Sequence, residues 1–137
     1  MKRSWLATAV LVTVAGCAAA PLAPSPTAQL AGTSWRVVAV NGQATPASGD
    51  YAMRFDAGGG VGARFGCNAM GGQYRLAGNQ LAVSNLTSTL MGCPGPAATL
   101  ERQGAAVLGQ PMRIGLTSNG QMSLTNSVGS IALDPMP

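Results

Sequence analysis

The residues able to do chemistry in this 137-residue chain are few. There is no histidine, and the only acids are Asp50, Asp56, Glu101 and Asp134. General acid–base work calls for a histidine or for paired carboxylates with separated pKa values. These four acids stand far apart in the chain, and its serines have no base to activate them. The glycine cluster Gly58-Gly59-Gly60-Val61-Gly62 is followed by a strand pattern, without the lysine and Ser/Thr that a phosphate loop requires on a following helix. Nucleotide binding is therefore excluded, and no catalytic, cofactor-binding or metal-ligating set is expected: the chain reads as a non-enzyme without a cofactor.

The remaining reactive residues are Cys17, Cys67 and Cys93. Lys2 and Arg3 precede an apolar run from Trp5 to Ala15, the right length for a signal-peptide core and well short of a membrane-spanning helix. Val14-Ala15-Gly16-Cys17, placed where that run ends, resembles the lipobox of bacterial lipoproteins, which implies that Cys17 receives the lipid and becomes the mature N-terminus. Residues 1–16 are then the signal peptide. Lipidation of Cys17 leaves Cys67 and Cys93 as an even pair in an oxidising compartment, where a disulfide is favoured over two free buried thiols. With no third thiol and no histidine they cannot close a four-ligand zinc site.

Removal of Lys2 and Arg3 leaves six arginines against four acids, a net +2. Arg36, Arg54, Arg64, Arg75, Arg102 and Arg113 are scattered, so no clustered basic face points to nucleic acid. Residues 17–29 are rich in Ala and Pro, with Pro21, Pro24 and Pro26 disfavouring regular structure. This segment reads as a tether, its eleven residues from Ala18 to Ala28 extending to about 34 Å.

The domain, residues 30–137, reads as mainly β. Leu30–Val40 is a strand with Trp35 as a core anchor, stopped by Asn41-Gly42. Tyr51–Asp56 and Val61–Phe65 alternate with period two and form a hairpin. Gly71-Gly72 reads as a turn before the strand Gln73–Leu76, and Gln80–Leu86 follows. Pro96 starts one helix over Ala97–Leu108, ended by Gly109 and Pro111. Met112–Thr117, Gln121–Thr125 and Ser130–Leu133 are short strands, the first two joined by a two-residue Asn119-Gly120 turn. The pattern predicts a curled antiparallel sheet or open β-barrel of seven to eight strands, with one helix covering an opening. Met53, Met70, Met91, Met112 and Met122 either fill the core or line an adaptable apolar interior.

Gly32-Thr33-Ser34-Trp35, Phe55 before a Gly-rich turn, Gly66-Cys67-Asn68, Thr89-Leu90-Met91-Gly92-Cys93, Glu101 and the terminal strand–Asn-Gly–strand hairpin together resemble the META domain family, the HslJ-like heat-shock lipoproteins. The resemblance runs from Leu30 to about Leu133 and departs at Gly92, where the family tends to have alanine. It implies an open β-barrel with a helix, an envelope location and links to stress or drug tolerance, with no known reaction. Its motif marks Gly66, Asn68, Thr89, Met91 and Glu101, of which Glu101 is expected to serve the helix face or pair with an arginine.

The functional expectation is a monomeric outer-membrane lipoprotein facing the periplasm, binding another envelope component. The alternatives are a pilot- or chaperone-like lipoprotein that binds a lipid or peptide, and a lysozyme-inhibitor-like lipoprotein.

Overall fold

A computed structural model describes residues 16–19 and 29–137. The expected signal peptide and most of the tether lie outside the described residues. The elements are β1 (Thr33–Val40), β2 (Gln43–Ala44), β3 (Tyr51–Phe55), β4 (Gly60–Phe65), β5 (Ala69–Ala77), β6 (Gln80–Ser88), α1 (Pro96–Leu108), β7 (Met112–Leu116), β8 (Met122–Thr125) and β9 (Ser130–Met136). Every strand pairs antiparallel with its neighbour in the order β2-β1-β3-β4-β5-β6-β7-β8-β9, and β1 also pairs with β9. The curled sheet thus closes into an eight-stranded barrel, with β2 a short extension of β1. The closing seam runs from Ser34↔Met136 to Val40↔Ile131. Closure removes the long edge strands that an open sheet would expose.

Alternation places the core. Tyr51, Met53 and Phe55 of β3 and Val61, Ala63 and Phe65 of β4 point inward and are buried, while Arg54 and Arg64 face water. The rings of Phe55 and Tyr74 meet edge to face with centroids 5.1 Å apart. Met53, Met112 and Met122 are each 1% exposed and Met70 is buried with them, so these methionines fill the barrel; Met91 alone of the five lies outside it, 56% exposed.

Two local readings change, and the turn expected at Asn41-Gly42 stands. Gly71 and Gly72 do not turn the chain; they lie inside β5, at a bulge opposite β6 where the register shifts between Gly71 and Gln73. A Cβ on Gly72 would come within 2.7 Å of the Ser84 carbonyl oxygen, so the glycine marks a close backbone approach within a strand. Asn41 and Gly42 both have positive φ (50° and 77°), forming the tight turn that reverses β1 into β2. At the β7–β8 hairpin, Thr117 and Gln121 close a three-residue loop, with Gly120 at φ 86°. This is one residue longer than the Asn-Gly pair suggests.

Helix α1 has Pro96 in its first turn and buries Leu100, Gly104, Val107 and Leu108, one face at helical spacing. It packs against β4, β9 and β1 at one end of the barrel. Gly104 is there for closeness: a Cβ would sit 2.6 to 2.7 Å from the ring carbons of Phe65, which is fully buried. Replacing a mid-helix glycine with alanine ordinarily gains up to about 1 kcal/mol. In this helix Gly104→Ala is expected to lower stability by roughly 1 to 3 kcal/mol through overpacking. Urea denaturation measures the sign, and a stabilised variant would show that Phe65 can shift aside.

Candidate functional site

The register brings together at one barrel end the stretches the motif singled out. Arg64↔Ala69 and Met70↔Ser88 place the β4–β5 connection beside the exit from β6. Helix α1 crosses the same end. Cys67 and Cys93 are joined there in a disulfide, with Cα atoms 6.0 Å apart and a sequence separation of 26.

Asn68 is the centre of this site and the only buried polar residue found among the described residues, 5% exposed. Its backbone N–H donates to Glu101 Oε2 and its side-chain amide donates to Glu101 Oε1, both at 2.6 Å. The same amide nitrogen donates to the Met91 carbonyl at 3.2 Å. Its Oδ1 accepts from the Met91 N–H at 2.7 Å and from the Thr89 hydroxyl at 2.9 Å. Thr89 Oγ1 in turn accepts from the Ala69 N–H at 3.1 Å. Gly66, at φ 115°, supplies the turn into this segment, and a Cβ there would meet the Tyr51 hydroxyl at 2.6 Å. All five motif residues therefore take part in one latch, which clips the 89–93 loop and helix α1 to the β4–β5 connection.

Among the described residues Glu101 has no arginine partner, contrary to one of its two expected roles. The guanidinium groups of Arg36, Arg54 and Arg64 bind Asp134, Asp56 and Asp50 at 2.7, 3.0 and 3.5 Å. The two Glu101 oxygens instead take the two Asn68 donors. A carboxylate occupied in this way braces a loop and is poorly placed to move protons. The Cys67 and Cys93 sulfurs and a Glu101 oxygen lie within 4.8 Å of one another. With the sulfurs bonded together neither is a thiolate, the form that ligates a metal. Gly92, the departure from the family pattern, has open space around its Cβ position and no positive φ, so the loop accepts alanine there equally well.

What the latch displays is apolar: Leu90 is 95% exposed and Met91 56% exposed, beside a backbone held on both sides. Sequence reasoning missed a second clip. Asn126 donates its amide to the carbonyls of Val107 and Gln110 and accepts from the N–H groups of Val128 and Gly129, tying the end of α1 to the β8–β9 turn. The turn-like Asn126-Ser127-Val128-Gly129 was its only signal. Among the described residues no helix is long and apolar enough to cross a membrane.

Barrel, end helix and latch define a small disulfide-bridged β-domain built to hold one loop still. Residues 28–134 match the META domain, and the chain belongs to that family. No curated protein sequence matches it. Its fold is similar to a solved NMR structure from Burkholderia xenovorans, with a TM-score of 0.64 and 21% identity over 94% of this chain and 99% of the other. A second NMR structure gives a TM-score of 0.68 at 21% identity, over 79% of this chain and 92% of its own.

Proposed function

We propose that this META-domain protein is a non-enzymatic lipoprotein of the bacterial envelope, held by a lipid on Cys17 at the outer membrane facing the periplasm, where it binds another envelope component and contributes to stress or drug tolerance. The observation that carries the reading is the latch itself: its polar groups are spent on immobilising a loop that offers Leu90 and Met91 to solvent, an arrangement suited to binding and not to turnover. Support for the compartment comes from the Cys67–Cys93 bridge, since disulfides persist in oxidising surroundings. Cys17 is exposed and free, as an acceptor of lipid must be. Ala18 after the cysteine, where an aspartate would retain the protein, fits onward sorting to the outer membrane.

The alternative of a lipid tail inside the barrel gains nothing from the packing, because Met53, Met112 and Met122 already fill that space. No observation favours a lysozyme-inhibitor role.

The test is Cys17→Ser followed by fractionation. One N-terminal anchor is the membrane-binding feature of the reading, so the variant is expected in soluble or unprocessed form. Finding it processed and still membrane-bound would rule out lipid attachment at Cys17.

A further inference from the structure

The charge balance of the domain is uneven in space. Three of the four acids are paired with Arg36, Arg54 and Arg64, and the fourth, Glu101, is held by Asn68. Among the described residues this leaves Arg75, Arg102 and Arg113 without a carboxylate, and two of these three, Arg75 on β5 and Arg113 on β7, flank strand β6 from opposite sides. β6 and β7 pair only at Gln80↔Arg113 and Leu81↔Met112, the shortest pairing between strands of the closed barrel. On the outer face Arg113 stands between Gln80 of β6 and Thr125 of β8. Arg75 of β5 lies across from Ala82, two residues further along β6. Strand spacings of ~4.8 Å and ~3.3 Å per residue put the Arg75 and Arg113 Cα atoms about 12 Å apart.

Between them runs a groove made of two adjoining clefts of about 410 and 580 Å³ that share Gln80 and Pro111, with no acid lining either. These are volumes typical of small-ligand sites. The side chains of Arg75, Gln80, Arg113 and Thr125 make no hydrogen bond within the described residues, so guanidinium, amide and hydroxyl groups all remain available.

We propose that this groove binds an anionic saccharide, a short glycan segment whose carboxylates are taken by Arg75 and Arg113 and whose hydroxyls are taken by Gln80 and Thr125. Arginine suits this task because its planar donor fork matches a carboxylate. An acidic peptide adding as a strand fits less well: Gln80 and Leu81 are already paired with β7, and Pro111 has no N–H to offer. The site lies on the barrel wall, separate from the latch. It adds a ligand class to the proposed envelope binding role, and its test stands or falls independently of whether Cys17 is lipidated.

The experiment is an amide NMR titration of the full chain in neutral maltoside micelles. The probes are trigalacturonate, the neutral trimer of N-acetylglucosamine, and triglutamate. Trigalacturonate at millimolar concentration is expected to shift resonances in β5, β6 and β7, more weakly as salt rises. Arg75→Gln and Arg113→Gln each remove a charge-assisted contact and are expected to weaken binding about tenfold while leaving the spectrum dispersed. Absence of shifts at these strands, or shifts indifferent to both substitutions, would overturn the proposal. An equal response to the neutral trimer would remove the anionic requirement and overturn it too. A stronger response to triglutamate would reassign the groove to acidic peptides.

Discussion

Reduction of the Cys67–Cys93 bridge, or Cys67→Ser with Cys93→Ser, is expected to lower the melting temperature by at least about 10 °C. A bridge closing a loop of this size, with a sequence separation of 26, removes enough unfolded-state entropy to be worth roughly 3 to 4 kcal/mol. Small domains hold only about 5 to 15 kcal/mol in total, and each kcal/mol shifts the melting point by a few degrees at this size. The latch spans the same two segments, since Asn68 follows Cys67 and grips Met91, two residues before Cys93. Bridge and latch should therefore be coupled: without the disulfide, the Asn68 bonds must close that loop alone. Thiol labelling of unfolded, unreduced protein, then melting with and without reductant, measures this. Two free thiols, or coincident melting curves, would show that packing and the latch suffice.

Asn68→Ala is expected to cost roughly 3 kcal/mol. The substitution removes one of the two donors to the Glu101 carboxylate and all three side-chain bonds to Thr89 and Met91. Bonds to charged groups contribute about 1.5 to 3 kcal/mol each, and a buried group left without a partner costs about 1 to 3 kcal/mol, though the terms do not simply add. The denaturation midpoint gives the total. Hydrogen exchange at the Met91 amide gives the local part, because that N–H donates to Asn68 Oδ1 and should exchange faster once its acceptor is gone. A midpoint unchanged from the parent, with Met91 still protected, would mean that the loop is held without Asn68.

The β3–β4 hairpin was legible because Tyr51, Met53, Phe55, Val61, Ala63 and Phe65 alternate cleanly with residues that face outward. Helix α1 was legible for a similar reason: Pro96 opens it, and Leu100, Val107 and Leu108 share a face. The pair Gly71-Gly72 misled because two adjacent glycines signal a turn whenever the reason for them is local. At Gly72 the reason is the Ser84 carbonyl on the next strand, which no local pattern contains. The edges of the sheet met because β1 and β9, the first and last strands of the barrel, pair with each other, a contact equally beyond local patterns.

At the site, the motif residues could be named from the sequence, but their arrangement could not. Glu101 suggested an arginine because opposite charges are the usual partners. Its actual partner is an uncharged amide 33 residues away, and apolar periodicity carries no mark for a buried asparagine. Arg75 and Arg113 looked scattered in the chain, and only the registers of β5, β6 and β7 bring them to one groove.

The seam between β1 and β9 has a kinetic consequence. Arg36 and Asp134, which form an ion pair across it, are 98 residues apart, so the barrel closes through its most distant contacts. Distant pairings carry loop-closure entropy before they return any stabilisation, which slows the folding of such topologies. Chains emerge N-terminus first, so β1 waits with one flank open until Ser130–Met136, the last strand of the barrel in chain order, has been made. Until then the domain exposes the kind of unpaired edge that its finished form eliminates, and the last seven-residue strand decides when that exposure ends.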